Sequence, residues 1–178
     1  MHFCPFIFIM DNTELQKRKR LRLKDFDYSS SGWYFVTVCV KDMRFPVLSH
    51  IIVGNGALDI PQSRLTTAGI ITEKYILSTN NISGISVDKY VIMPNHIHMI
   101  LKIDNTDGAS KALHPTNSLL SHTIGTLKRF INRDIGENIW QTSFHDHIIR
   151  DQYDYDKIWN YVDTNVIRWE KDKFFIKE

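Results

Sequence analysis

Two histidines separated by one residue, His96 and His98, and a tyrosine and asparagine four apart, Tyr161 and Asn165, are the side chains whose spacing suits chemistry. On a strand, residues i and i+2 face the same side, about 6.6 Å apart along the chain. Both imidazoles can then converge on one cation, while Ile97, Met99 and Leu101 face the other way into a core. On a helix, Tyr161 and Asn165 stack on one flank. A carboxamide oxygen is a hard donor of the kind Mg²⁺ or Mn²⁺ takes, and a phenol is a nucleophile when a metal activates the phosphate it attacks. The same residues admit a plainer reading: satisfied histidines, a tyrosine at the edge of the core and a surface asparagine. A second pair of the same spacing, His145 and His147, shows that the motif alone does not decide.

The elements that must position these groups are legible from period and punctuation. Trp33 to Val40 is dense in β-branched and aromatic residues and reads as a strand. Ile51 to Val53 and Ala57 to Ile60, around Gly54-Asn55-Gly56, suggest a short hairpin or edge strand. A helix is predicted from about Thr66 to Thr79, then strands over Val87–Met93 and His96–Ile103 joined by a turn at Pro94-Asn95. Residues 104–117 read as a loop. A second helix, Leu119 to Ile131, puts Leu120, Ile124, Leu127 and Ile131 on one face. Ile139 to Ile149 is a short strand or an ordered loop. A last helix from about Asp154 to at least Trp169 turns Ile158, Val162, Val166 and Trp169 toward the sheet. This order gives an α+β fold, an antiparallel sheet with helices packed on it, close to the ferredoxin-like arrangement.

With 178 residues, 43% hydrophobic and 24% charged, the chain matches ordinary globular composition. Residues 1–17 read as an N-terminal extension, with Met10 as the expected translation start, and 18–178 as one domain. The apolar residues at the start lack a cationic beginning and a small-residue cleavage site, which argues against a signal peptide. No stretch approaches the ~20 apolar residues of a membrane span. Cys4 and Cys39 are too few for a disulfide framework, which points to reduced thiols in the cytoplasm. The net charge of +2 conceals a cluster: Lys17, Arg18, Lys19, Arg20, Arg22 and Lys24 place six cations within eight residues. Such a segment binds phosphates by counterion release without reading sequence, or is simply a solvated arm.

The stretch Tyr-Val-Ile-Met-Pro-Asn-His-Ile-His-Met-Ile-Leu over 90–101 resembles the histidine motif of the REP-associated tyrosine transposases. These belong to the single-tyrosine HUH class. The resemblance continues through Arg22-Leu23-Lys24 with Tyr28, Gly32 to Val38, Leu127-Lys128-Arg129-Phe130, Ile139-Trp140-Gln141 and Asp146 to Arg150, to Tyr161-Val162 with Asn165. It is collinear from about residue 18 to 170. Val166 stands where the family commonly has proline, which lets the helix run on. Phe144-His145 replaces a more usual aromatic pair.

The resemblance implies an HUH endonuclease fold and a DNA strand-transfer enzyme. Tyr161 would be the nucleophile, and His96, His98 and Asn165 the ligands of Mg²⁺ or Mn²⁺. A 5′-phosphotyrosine and a free 3′-hydroxyl would form on single-stranded or hairpin DNA, with palindromic repeats as the targets. Relatives act either as homodimers that exchange tyrosine helices or as monomers. Lys128, Arg129 and Arg133, with the cations of 17–24, are the expected phosphate contacts. Two other readings stand: a hairpin-binding regulator of the same fold without catalysis, and a zinc hydrolase using His96, His98 and one of His145 or His147. Truncating either histidine of the first pair is expected to abolish cleavage with the fold largely intact.

Overall fold

The computed structural model describes Tyr28 and residues 30–53, 60–104 and 118–176. The basic segment Lys17 to Lys24 and the Met10 start lie outside these residues, as does nearly all of the 104–117 loop.

Strands β1 (Gly32–Cys39), β4 (Ile85–Ile92), β5 (His96–Ile103) and β6 (His145–Ile149) form an antiparallel sheet of order β4-β5-β1-β6. Between β1 and β4 lie β2 (Ser49–Ile52) and β3 (Gln62–Leu65), a separate two-stranded ribbon, and helix α1 (Thr67–Ser78). Helix α2 (Leu119–Ile135) links β5 to β6, and α3 (Gln152–Thr164) follows β6. The α+β, ferredoxin-like expectation is met.

Alternation divides the sheet into two faces. On one, Tyr34, Val36, Val38, Ile97, Met99, Leu101 and Ile103 pack with Ile76 of α1 and with Leu120, Ile124, Leu127 and Ile131 of α2. That is the main core. On the other face, Ile100 and Ile149 meet Ile158 and Val162 of α3, with Trp33, Phe35 and Tyr161 at the margin. Burying both faces of β5 explains why its sequence is an almost unbroken apolar run with histidines set into it.

The helix starts carry their own caps. The Thr66, Ser118 and Asp151 side chains accept from the backbone N–H groups of Gly69, Ser121 and Asp154. Gly136, in the left-handed region at φ 87°, stops α2 after Ile135, four residues beyond the predicted end at Ile131.

The arm that pairs with β2 is Gln62–Leu65, while residues 54–59 of the expected hairpin lie outside the described residues. Of the two readings of the 139–149 segment, the short strand holds over His145–Ile149, preceded by a single bridge, Val40 to Trp140. One expectation is corrected. The last helix ends at Thr164 instead of running to Trp169. No proline is needed for that stop. Trp169 and Phe174 pack with Cys39 and Met93 in a separate small cluster, which draws the chain off the α3 axis through a turn and a 3₁₀ segment, Trp169–Lys171.

Candidate active site

The two-residue period of β5 puts His96 and His98 on the α3 face, their Nε2 atoms 3.0 Å apart. Each Nδ1 is held by a neighbour. The Asn95 amide nitrogen donates to the carbonyls of Met43 (2.7 Å) and Phe174 (2.8 Å). Its oxygen is thereby turned to His96 Nδ1 at 2.9 Å and can only accept. His96 must carry its proton on Nδ1, leaving the Nε2 lone pair aimed into the site. The Thr37 hydroxyl, 2.8 Å from His98 Nδ1, can serve either tautomer of His98. Two imidazole nitrogens this close require either a shared proton or a cation between them.

Tyr161 reaches the pair from α3, its hydroxyl 3.2 Å from His98 Nε2. The ring is held edge-on by Phe35 and His98, at centroid distances of 6.0 and 5.2 Å. Asn165 is only 2% exposed. Its Nδ2 lies 3.5 Å from Asp172 Oδ2, and its Oδ1 is buried without a hydrogen-bond partner. Asp172 Oδ2 also accepts from the Tyr161 hydroxyl at 3.4 Å, and its Oδ1 accepts from the Phe174 N–H at 2.7 Å. Donor atoms of His96, His98 and Asp172 all lie within 4.8 Å of one another. Two neutral imidazoles, a carboxylate and an orphaned buried carboxamide oxygen fit a divalent cation.

Electrostatics favour the ligating form of the histidines. Burial pushes His98 down to about 3, with the Lys173 charge adding to the effect. His96 is held well below its usual range by burial first, then by repulsion from His98 and Lys173. Both are neutral at pH 7.

The structure therefore brings together Tyr161, His96, His98 and Asn165. It adds Asp172, Thr37 and Asn95, which sequence reasoning missed. Thr37 alternates with Phe35 and Cys39 on β1, but only the strand register sets it beside His98. Asp172 belongs to no periodic pattern. The histidines are also more enclosed than expected, at 0% and 2% exposure. Truncating either one would cost stability as well as any site function, because it opens a cavity and strips Asn95 or Thr37 of its partner.

His145 and His147 do not join the cluster. His147 Nε2 is bound to Asp154 Oδ2 at 2.7 Å, and the third donor beside the His pair is Asp172, which removes the three-histidine arrangement. Four of the other tyrosine hydroxyls are engaged elsewhere, Tyr34 with Ser30, Tyr75 with Asp134, Tyr90 with Glu73 and Tyr155 with Asp88, while Tyr28 lies in the core of the opposite sheet face and Tyr153 is exposed.

Of the cations expected on α2, Arg129 is exposed over the Phe130 ring, and Arg133 is bonded to Asp134 and to the Tyr75 hydroxyl. Both ride a helix on the sheet face opposite the His pair. Lys128 is nine-tenths buried, its ammonium donating to the carbonyls of Gln141 (2.9 Å) and Ser143 (2.8 Å). It pins the segment before β6 and is not placed as a phosphate contact. Lys128→Ala should therefore lower stability by on the order of 2 kcal/mol in chemical denaturation, because it strips buried carbonyls of a charged donor. Arg129→Ala should change stability by less than about 0.5 kcal/mol. Equal, small effects would return Lys128 to the surface.

Among the described residues no helix is long and apolar enough to cross a membrane. An uncharacterized protein of Haemophilus influenzae is 29% identical over 182 residues, 93% of this chain and 97% of the relative. A solved structure of a REP-associated tyrosine transposase bound to a REP hairpin is similar in fold, with a TM-score of 0.59. It is 21% identical, over 86% of this chain and 74% of its own. The family model for IS200-like transposases matches residues 66–165, which span α1 to the end of α3 and so hold both histidines, Tyr161 and Asn165. The chain belongs to the IS200-like transposase family.

Proposed function

We propose that this protein cuts and rejoins single-stranded or hairpin DNA through a covalent 5′-phosphotyrosine at Tyr161. One observation carries the reading: the Tyr161 hydroxyl lies 3.2 Å from His98 Nε2, at the edge of a cluster of buried metal donors. Tyr161 Oη attacks the scissile phosphorus, the bond to the 3′-oxygen breaks, and the 3′-end leaves as a hydroxyl. Asp172 Oδ2, 3.4 Å away, is the nearest carboxylate to take the phenolic proton. Attack by a 3′-hydroxyl on the phosphotyrosine reverses or redirects the join, so the phosphodiester is conserved and no external energy source is needed.

His96, His98, Asn165 and Asp172 are the residues that would hold Mg²⁺ or Mn²⁺. Such an ion supplies Lewis acidity at the scissile phosphate and a template for in-line geometry. Thr37 and Asn95 fix the imidazole orientations. Tyr161 meets the His pair of its own chain, which supports action as a monomer without exchange of α3 between subunits. A REP hairpin is the ligand of the similar solved transposase, and hairpin DNA is the partner proposed for this chain.

The test is direct. Protein incubated with a labelled hairpin bearing single-stranded flanks and Mn²⁺ should yield a protein–DNA adduct that survives denaturation and disappears in chelator. Binding without any adduct would leave a DNA-binding protein and remove the enzyme. An adduct that forms equally well in chelator would remove the metal.

A further inference from the structure

The sheet face that carries His96 and His98 is unevenly covered. Helix α3 lies over β4 and β5. The C-terminal segment closes the His96 end, with the Phe174 ring 4.7 Å and the Trp169 ring 6.2 Å from the His96 ring. Toward β6 the same face keeps partly exposed side chains, with Phe35 and His145 half-buried and His147 exposed. There Phe35 pairs with His147 and Thr37 with His145. Thr37 also pairs with His98 on its other side. His98, Thr37 and His145 thus form one row across three strands, with His145 about 10 Å from His98 at the strand spacing. Phe35 fills the angle between His98 and Tyr161, at ring distances of 5.1 and 6.0 Å. Phe35 and His145 each keep part of their surface exposed. His147 is bound to Asp154 and ties β6 to the first turn of α3, forming a wall beside them.

Phe35 and His145 are the partly exposed aromatic and imidazole groups on this face beside Tyr161 and His98. We propose that Phe35 and His145 form a subsite for the single-stranded nucleotide flanking the reacting phosphate. The base packs on the Phe35 ring, and the His145 imidazole hydrogen-bonds the neighbouring backbone phosphate. The subsite rests on the reading of Tyr161 as nucleophile. An aromatic face accepts any base, so this subsite adds affinity without sequence preference.

Two measurements test it. Tyr161→Phe protein, which cannot form the adduct, is irradiated with hairpins carrying iodouracil at successive single-stranded positions, and cross-linked peptides are mapped. The cross-link is expected at Phe35 from a position next to the cleavage point. In protein with Tyr161 intact, His145→Ala should raise KM for a hairpin with single-stranded flanks by about tenfold. The Mn²⁺ concentration for half-maximal cleavage should stay unchanged, because His145 is not in the metal cluster. Cross-links that avoid β1 and β6, together with an unchanged KM, would overturn the subsite and leave Tyr161 standing, since the wild-type adduct still forms. Absence of both adduct and cross-link in any DNA would overturn the subsite and the Tyr161 reading together.

Discussion

Tyr161→Phe should form no covalent complex with hairpin DNA while folding and binding DNA as the wild type does. The substitution removes one oxygen and keeps the ring in its edge-on contacts with Phe35 and His98. The hydrogen bonds lost, to His98 at 3.2 Å and Asp172 at 3.4 Å, are long, and their loss costs at most about 1 kcal/mol. The effect on chemistry is of another order. No other tyrosine hydroxyl among the described residues faces the His pair, and a phenol of pKa near 10 needs stabilisation of its developing charge to attack at neutral pH. A fall in adduct yield of 10³-fold or more is expected, on the scale of losing a catalytic nucleophile. Mass spectrometry of the digested wild-type adduct should place the DNA on Tyr161. An adduct on another tyrosine, or undiminished cleavage by the phenylalanine variant, would end this mechanism.

Acidification should destabilise the fold in steps set by the buried histidines. The folded protein holds His98 at about 3, against 6.5 when unfolded, and His96 is lowered in the same sense. A depressed folded pKa means that the unfolded chain takes the proton first. Stability is therefore complete above pH 6.5 and declines as pH falls from there toward 3. His98 alone accounts for a loss of about 2 kcal/mol by pH 5. A divalent ion that binds the neutral pair of the folded protein adds about 2.7 kcal/mol at a hundredfold excess over Kd. Because the folded pair stays neutral until the pH approaches about 3, this gain holds from pH 8 to 5 while the histidine contribution falls. Thermal unfolding with and without Mn²⁺ from pH 5 to 8 reads both effects. His98→Gln, which cannot take up a proton, should flatten the acid limb and weaken the Mn²⁺ shift. An acid limb as steep in this variant as in wild type would show that His98 is not the titrating group.

Local signals carried much of this in the sequence. The density of β-branched residues in β1, the two-residue period of β5 and the helical stripe of α2 each fix an element, because burial demands those patterns wherever the element ends up. Tyr161 and Asn165 were legible as a pair because both lie within a turn of one another. Asp172 was not, since its place depends on how the chain turns after Thr164, and that turn is set by Trp169 and Phe174 packing on Cys39 and Met93. Lys128 misled for a similar reason. A cation beside an apolar helix face looks ready for phosphate until the carbonyls of Gln141 and Ser143, contributed by a later loop, come up against it.

The Asn95 side chain spans far more of the sequence than its own turn. It orients His96 while holding the carbonyl of Phe174, 79 residues further on. A ribosome releases the chain in order, so the sheet and both histidines emerge well before Phe174, whose carbonyl holds Asn95 in place. An incomplete polypeptide ending after β6 would carry the histidines without Tyr161, Asp172 or that lock. On the mechanism proposed above, such fragments could not form the adduct, and competence arrives only when the last stretch has docked.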